Sequence, residues 1–445
     1  MVKTQNTFDD LKGFRGYLAK IKLFSYNARL YLLHVIGMDM IHGTWEVMFN
    51  LYLLAIGKPL EFIGLRLLVM GFAGAAASIP MGWVSDKLGR KAGFILGDGL
   101  GAVMSLTLIL STDDTIILIA SALAAMFSAL HHVTESPFMA ENSEQKERIH
   151  LFSVSEGLRT FSAMIGSLIA GFVPLWAAGA FGVETVVAYR WAAFIGIGWW
   201  FLSLIPAILL KQQVPDSKSE PVQKVKPSVI TALKSLTANI KNPVIIGKLL
   251  LVNGLISLGA GFVVPLFNVF FHEGVHAHAH EIGTTFAAGS LFLAIGALAV
   301  PFVVEKLGKV TTILVTRFAA IPFIMVIGFA PSLADPTAVM SIAGLAYILR
   351  TTFFNMSSPV LSAFSMELLD PKERATATGF QSTIGRIATA GAGFMGAALM
   401  GFGDFRTPFF LMAFLFLLST IFFWALFKGY EKEAPAQDHP TLAEV

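Results

Sequence analysis

Residues 82–91 read Gly82-Trp83-Val84-Ser85-Asp86-Lys87-Leu88-Gly89-Arg90-Lys91, a charged turn between two long apolar runs. A shortened copy, Glu305-Lys306-Leu307-Gly308-Lys309, separates two apolar runs in the second half of the chain. Glycine permits a tight turn after a helix because it has no Cβ. A charged turn that recurs between paired apolar runs predicts that the chain consists of two related units.

Three further matches between the two halves keep the same order along the chain. They are Gly43 with Gly261, Phe49-Asn50 with Phe267-Asn268, and Lys146-Glu147-Arg148 with Lys372-Glu373-Arg374. In the last match an arginine follows within the next apolar run, at Arg159 and at Arg386. Two units with an even number of helices each share one orientation, so an axis along the membrane normal should relate them.

The composition excludes an ordinary soluble domain. Of the 445 residues, 55% are hydrophobic and 14% are charged, and the mean hydropathy is +0.70. Soluble domains carry about 25% charged residues. Twelve apolar runs approach or exceed the roughly 20 residues that span a bilayer. They lie at about 30–55, 60–84, 93–111, 115–138, 150–178, 187–211, 245–270, 282–304, 310–329, 338–364, 375–402 and 406–429. The absence of cysteine excludes disulfides and thiolate metal sites.

The predicted organisation has five parts, and the basic residues orient it. The parts are a cytoplasmic amphipathic segment at 1–29, a six-helix bundle at 30–211, a cytoplasmic linker at 212–244, a second six-helix bundle at 245–429 and a cytoplasmic tail at 430–445. Of the 32 Lys and Arg residues, only Lys58, Arg190 and Arg406 fall in the loops of the opposite side. Because basic loops remain in the cytoplasm, both termini are predicted to be cytoplasmic, in an inner or plasma membrane.

The turn at 82–91 resembles the signature G-x-x-x-D-x-x-G-R-K/R between the second and third helices of the major facilitator superfamily. The resemblance implies an all-α integral membrane protein whose twelve transmembrane helices form two six-helix, pseudo-symmetric bundles. It also implies transport by alternating access, with a conformational latch to which Gly82, Asp86, Gly89 and Arg90 belong. In this superfamily the first, fourth, seventh and tenth helices line a central cavity.

The first apolar run carries three ionisable residues, Asp39, His42 and Glu46. Their spacing of three and four residues places them on one face of a helix. The matching positions of the second half are the uncharged Ser257, Ala260 and Val264, so the acidic face is predicted to serve function and not a structural role common to both halves. Ionisable groups at membrane depth mark pathways and proton relays. Asp39 and Glu46 are therefore predicted to carry protons, and His42 to assist them.

Four polar residues on other helices are predicted to join this site. His131 and Glu135 share a face of the fourth helix, since they are four residues apart. Arg350 lies in the middle of the tenth helix, where it would hold an anionic substrate or neutralise Asp39 or Glu46. Asn268 of the seventh helix is a candidate amide of the cavity.

A metal site is the alternative to a proton site. Asp39, His42, His131 and Glu135 offer the imidazole and carboxylate groups that bind divalent cations. The loop after the seventh helix would then collect the ion with His272, Glu273, His276, His278, His280 and Glu281. The simpler interpretation is that His131 and Glu135 adjust a proton site and that the loop histidines form a solvated turn.

The function predicted first is a secondary active transporter that moves a small organic solute by alternating access and couples it to protons. The alternatives are a divalent-metal-ion transporter and a transporter-like membrane receptor. An enzyme is disfavoured, since the chain contains no HExxH, GxSxG or nucleotide-binding glycine-rich motif. The predicted partners are the solute, protons and membrane lipid, without nucleic acid or cofactor, and the protein is predicted to be a monomer.

Overall fold

A computed structural model describes residues 20–211, 240–333, 335–370 and 373–430. Residues 1–19 of the predicted amphipathic segment, residues 212–239 of the linker and residues 431–445 of the tail lie outside the described residues.

Twelve long α-helices make up most of the described chain. They are α1 Tyr26–Ala55, α2 Leu60–Leu88, α3 Arg90–Leu110, α4 Asp114–Glu141, α5 Gln145–Phe181, α6 Thr185–Leu209, α7 Pro243–Gly261, α8 Ala279–Leu307, α9 Lys309–Phe329, α10 Pro336–Leu368, α11 Arg374–Gly401 and α12 Thr407–Phe427. The prediction of an all-α protein with twelve helices is confirmed. Ten of these helices are long and apolar enough to cross a membrane. The remaining two are α1, which carries the acidic face, and α11.

The two charged turns of the repeat have the same backbone geometry. Gly89 ends α2 with a φ of 85°, and Gly308 ends α8 with a φ of 77°. Side chains with a Cβ are strained in this left-handed region, which explains why glycine occupies both positions. Each turn passes directly from one long helix to the next.

Glycine contacts also repeat inside the two bundles. A Cβ at Gly43 of α1 would lie 1.9 Å from the carbonyl oxygen of Ala163 in α5. A Cβ at Gly261 of α7 would lie 2.6 Å from the carbonyl oxygen of Thr389 in α11. Small residues let membrane helices approach backbone to backbone. The same pair of helices is therefore packed in the same way in each half.

The seventh helix differs from the first because it is interrupted. After α7 the chain forms a 3₁₀ turn at Val264–Leu266, a single helical turn at Phe267–Val269 and a π turn at Phe270–Gly274. Pro265 has no backbone N–H to donate, so a regular helix cannot continue through it without losing a bond. The backbone N–H of Val269 donates to the side chain of Asn268, and the carbonyl oxygen of Pro265 accepts a hydrogen bond from α1, as described below.

Two helix pairs join the halves, α2 with α11 and α5 with α8. A Cβ at Gly71 of α2 would lie 2.2 Å from the Cβ of Ala390. A Cβ at Gly171 of α5 would lie 2.9 Å from the carbonyl oxygen of Ala279. Close approach of this kind fixes the two halves against each other on one side of the molecule.

The two faces of the molecule can be distinguished by the ends of the linker. Asn27 at the start of α1 donates 3.0 Å to the carbonyl oxygen of Lys211, where the first half ends. Arg90 of the charged turn donates 3.1 Å to Glu141 at the end of α4, on the same side. In the second half, Lys241 contacts Asp370 at 3.0 Å. We call this side the linker face and the opposite side the far face.

Candidate functional site

The far face is closed by two asparagines that occupy equivalent positions of the repeat. Asn50 of α1 donates 3.0 Å to the side-chain oxygen of Asn268 and 3.0 Å to the carbonyl oxygen of Pro265. Asn268 in turn donates 3.0 Å to the carbonyl oxygen of Val47. Each asparagine side chain therefore donates to the backbone carbonyl of the residue three positions before the other asparagine. This reciprocal pattern is what a twofold axis between the halves produces. Both side chains are buried.

The linker face is open. Gly82 of α2, Gly157 of α5 and Gly379 of α11 have no neighbouring atom within 4 Å of the position a Cβ would take. These are the helices that meet closely nearer the far face. The close contacts between α2 and α11, at Gly64, Gly71 and Gly401, all lie in the far-face parts of these helices, and a cavity separates the halves beyond them.

The larger space is a cavity of 620 Å³ between the halves. Residues of α1, α2, α3, α4 and α6 line it from the first half, and residues of α7, α11 and the turn at Pro265 line it from the second. His42 is the member of the acidic face that reaches this cavity. Arg66 and Arg386 face it from opposite halves, beside the indoles of Trp45 and Trp200.

A second cavity of 320 Å³ lies against the second half. It brings together Glu46 of α1 and Arg350 of α10, two of the predicted site residues, with Tyr347 beside them. Arg350 is 5% exposed, and its guanidinium carbon lies 5.5 Å from the ring centres of Phe267 and Phe354. Among the described residues no carboxylate lies within 4.0 Å of it, and its Nε has no hydrogen-bond partner.

Asp39 lines neither of these cavities. It is 8% exposed, and one of its carboxylate oxygens has no hydrogen-bond partner among the described residues. Arg159 of α5 and His42 lie close enough to interact with it electrostatically. The predicted acidic face is thus divided: Asp39 faces the interior of the first half, His42 the large cavity and Glu46 the small one.

Glu135 forms an ion pair with Arg159, not with a histidine. Arg159 also donates 3.1 Å to the hydroxyl oxygen of Tyr31. Donor atoms of His131, His132 and Glu135 nevertheless lie within 4.8 Å of one another. In the described part of the chain, Asp39 and His42 do not join them in such a group.

A buried cluster of two histidines and one aspartate was missed by the sequence analysis. Asp98 of α3 uses one carboxylate oxygen to contact His34 at 3.0 Å and His131 at 2.9 Å. All three side chains are at most 1% exposed. The available signal was Asp98 itself, an acidic residue inside an apolar run.

The hydrogen-bond partners in this cluster indicate which ring nitrogens of the two histidines carry a proton. The other ring nitrogen of His34 lies 2.8 Å from the carbonyl oxygen of Ser203, which can only accept. His34 therefore carries a proton there, and one further proton lies on each contact with Asp98. An ionised Asp98, a doubly protonated His34 and a neutral His131 satisfy all three bonds with no net charge. The Nε2 of His131 has no partner among the described residues.

The loop histidines are engaged in local structure. His272 donates 3.1 Å to the carbonyl oxygen of Ala277. The side chain of Glu281 accepts a 2.7 Å hydrogen bond from the backbone N–H of His278, and this bond caps the start of α8. Within the residues the structure describes, this loop contains no group of three metal-ligating atoms.

The residues of the predicted latch lie together on the linker face. Arg90 donates 2.6 Å to Asp86 and 3.0 Å to the hydroxyl of Ser85, in addition to its bond with Glu141. All of these partners belong to the first half. In this open conformation the charged turn is therefore held within its own bundle.

Substitution of Asp86 tests the latch. We expect Asp86→Asn to slow transport and shift the conformational equilibrium by roughly fivefold at most, since an exposed ion pair contributes about 0.2–1 kcal/mol. Expression and thermal stability should change little. Asp114→Asn, which breaks an ion pair with Lys58 on the far face, is the matched control. If flux and accessibility of the cavity are both unchanged in Asp86→Asn, the assignment of Asp86 to a latch is wrong.

The fold and its cavities define a polytopic helical membrane protein with a central space between two repeated bundles. The sequence of residues 32–392 matches the family model of the Major Facilitator Superfamily, and the chain belongs to this superfamily of membrane transporters. Among curated protein sequences, none matches the chain significantly.

Solved structures show the same fold at low sequence identity. The nucleoside transporter NupG matches with a TM-score of 0.68 at 15% identity, over 91% of this chain and 99% of that one. A bacterial homologue of the iron transporter ferroportin, in an inward-facing state, matches with 0.67 at 15% identity, over 90% and 98%. A bacterial homologue of the lysosomal transporter Spinster, also inward-facing, matches with 0.64 at 15% identity, over 95% and 100%.

Proposed function

We propose that the protein is a proton-coupled secondary transporter that carries a small organic solute by alternating access. The observation that carries the proposal is a cavity between two repeated halves that is open on one face and sealed on the other by the Asn50–Asn268 contact. Ionisable residues lie inside this space. We further propose that the linker face is cytoplasmic, as the distribution of basic residues supports.

Alternation follows from the repeat. The far face is held by a small number of amide hydrogen bonds and by close contacts of small residues, and such contacts can be released as a unit. Rocking of one bundle against the other would open this face while the linker face closes around the same site. The pair of Asp86 and Arg90 lies where the halves would then meet.

Proton coupling would involve Glu46 and Asp39. Closure of the linker face removes water from the cavity that Glu46 shares with Arg350. An ionised carboxylate without a partner is costly in a dry site, so closure favours either protonated Glu46 or its approach to Arg350. Asp39 and Glu135 both lie near Arg159, and protonation of one frees Arg159 for the other. These exchanges would link solute movement to proton movement.

A flux assay tests the proposal. Purified protein in liposomes should take up at least one compound from a broad solute panel when a pH gradient is imposed, and uptake should fall when a protonophore collapses the gradient. Protein-free liposomes give the background. Solute uptake whose rate does not depend on the pH gradient would overturn proton coupling. The absence of any flux would overturn the transport function.

A divalent-cation transporter is the second candidate, because donor atoms of His131, His132 and Glu135 lie within 4.8 Å. Glu135 is already paired with Arg159, which favours the solute, although Nε2 of His131 has no partner among the described residues. Metal uptake in the same assay, lost in His132→Ala, would make divalent-cation transport the preferred function.

A further inference from the structure

The charged side chains that line the large cavity are all positive. Arg66 of α2 and Arg386 of α11 line it, and neither aspartate nor glutamate is found among its described lining residues. We infer that this cavity binds a small organic anion and that Arg66 is its main binding residue. The inference rests on the proposed transport function, for which it names the class of substrate.

Arg66 is a buried cation that lacks a counter-ion within the described chain. It is 4% exposed, and no carboxylate of the described residues lies within 4.0 Å of it. Its Nε donates 3.0 Å to the hydroxyl of Ser121, and its guanidinium carbon lies 4.2 Å from the ring centre of Phe49. Arginine stays charged in proteins. A hydroxyl and an aromatic face compensate only part of that charge, and an anion in the cavity that Arg66 lines would compensate the rest.

Arg386 extends the positive charge towards the mouth of the cavity. It belongs to the opposite half, is exposed, and its guanidinium would lie 3.6 Å from a Cβ at Gly74 of α2. Gly74 is two helical turns beyond Arg66, about 12 Å along α2 towards the linker face. An entering anion therefore meets Arg386 first and Arg66 at the end of its path.

This arrangement gives the anion an effect on conformation. A ligand shifts an equilibrium only when it binds one state better than the other. As the halves close over the cavity, water leaves and both guanidiniums approach the same anion. The ligand then replaces the missing counter-ion, so the closed state gains more from binding than the open state.

The remaining lining indicates an organic ligand. The side chains of Trp45 and Trp200 offer flat apolar surfaces, and Ser128 and Gln381 offer polar atoms that can both donate and accept hydrogen bonds. An inorganic anion would use the arginines but not the indoles. The cavity thus fits a molecule with at least one acidic group and an apolar or hydroxylated body.

Arg317 of α9 provides a matched control inside the same protein. It is 2% exposed, its Nε donates 3.3 Å to the hydroxyl of Ser357, and its guanidinium carbon lies 5.6 Å from the ring centre of Phe423. Its local environment repeats that of Arg66, but it lines neither cavity. Replacement of Arg317 should affect stability and not anion binding.

The charge of the cavity can be measured without knowledge of the substrate. In full-length protein with Trp45 as the sole tryptophan, fluorescence should be quenched more strongly by iodide than by caesium. Arg66→Gln and Arg386→Gln should each lower the ratio of iodide to caesium quenching by roughly twofold or more, and Arg317→Gln should leave it unchanged. Equal quenching by both ions, or an unchanged ratio in Arg66→Gln, would overturn the anion site.

Matched ligands then test the substrate class. We expect thermal stabilisation by at least one anion of the pairs benzoate and benzamide, glutarate and glutaramide, and glycerol phosphate and glycerol, with loss of the effect in Arg66→Gln. Carriage of a neutral or cationic solute in liposomes, with no anion carried, would overturn the inference and leave transport intact. Anion binding without any flux would instead overturn the proposed function.

Discussion

Glu46→Gln and Asp39→Asn are each expected to reduce solute uptake driven by a pH gradient to the level of protein-free liposomes. Both substitutions keep the size of the side chain and remove its ability to carry a proton. Exchange of labelled for unlabelled solute without a gradient should partly survive, because binding and rocking do not require net proton movement. The two assays on the same vesicles separate coupling from binding.

Glu184→Gln is the control for these substitutions. Glu184 is an exposed carboxylate at the start of α6, whose side chain does not cap the helix. Its replacement should leave both assays unchanged. Gradient-driven uptake that persists in both Glu46→Gln and Asp39→Asn would contradict their assignment. Loss of exchange together with uptake would indicate a role in binding.

Cross-linking of Asn50→Cys to Asn268→Cys is expected to stop transport completely. The two side chains touch at 3.0 Å across the far face, and this face must open in every cycle of alternating access. The chain contains no other cysteine, so a short bifunctional thiosulfonate can link only this pair within a molecule. Reduction of the linker should restore the flux.

Each single cysteine variant provides a control for the reagent itself. Treated Asn50→Cys and treated Asn268→Cys should retain the activity that they show before treatment. Full activity of the cross-linked double variant would mean that the far face never opens during transport.

The helices and turns were predictable because they depend on local sequence. Apolar runs of sufficient length predict membrane helices, and a long helix is present at each of the twelve runs, although the seventh ends at Gly261 and not near the predicted 270. Gly89 and Gly308 were singled out by the repeated turn, and both have positive φ. Such features require no knowledge of the partners that a side chain meets.

The partners within the site were less predictable. Helical spacing predicted one shared face of α1 for Asp39, His42 and Glu46, but it could not show that three different environments surround them. Asn268 was expected in the cavity, and in this conformation it lies in the contact with Asn50. Arg159 pairs with Glu135 because the packing of α5 against α1 and α4 brings it there. Distances between helices decide such pairs, and periodicity carries no information about them.

The most direct test of alternating access uses a single cysteine in the cavity. Ser128→Cys places a thiol on the wall of the large cavity, and the rest of the chain contributes none. In liposomes with known orientation, an impermeant thiol reagent should label this residue when added on either face, more rapidly from the linker face. Labelling from the linker face alone, in protein that carries solute, would contradict the account.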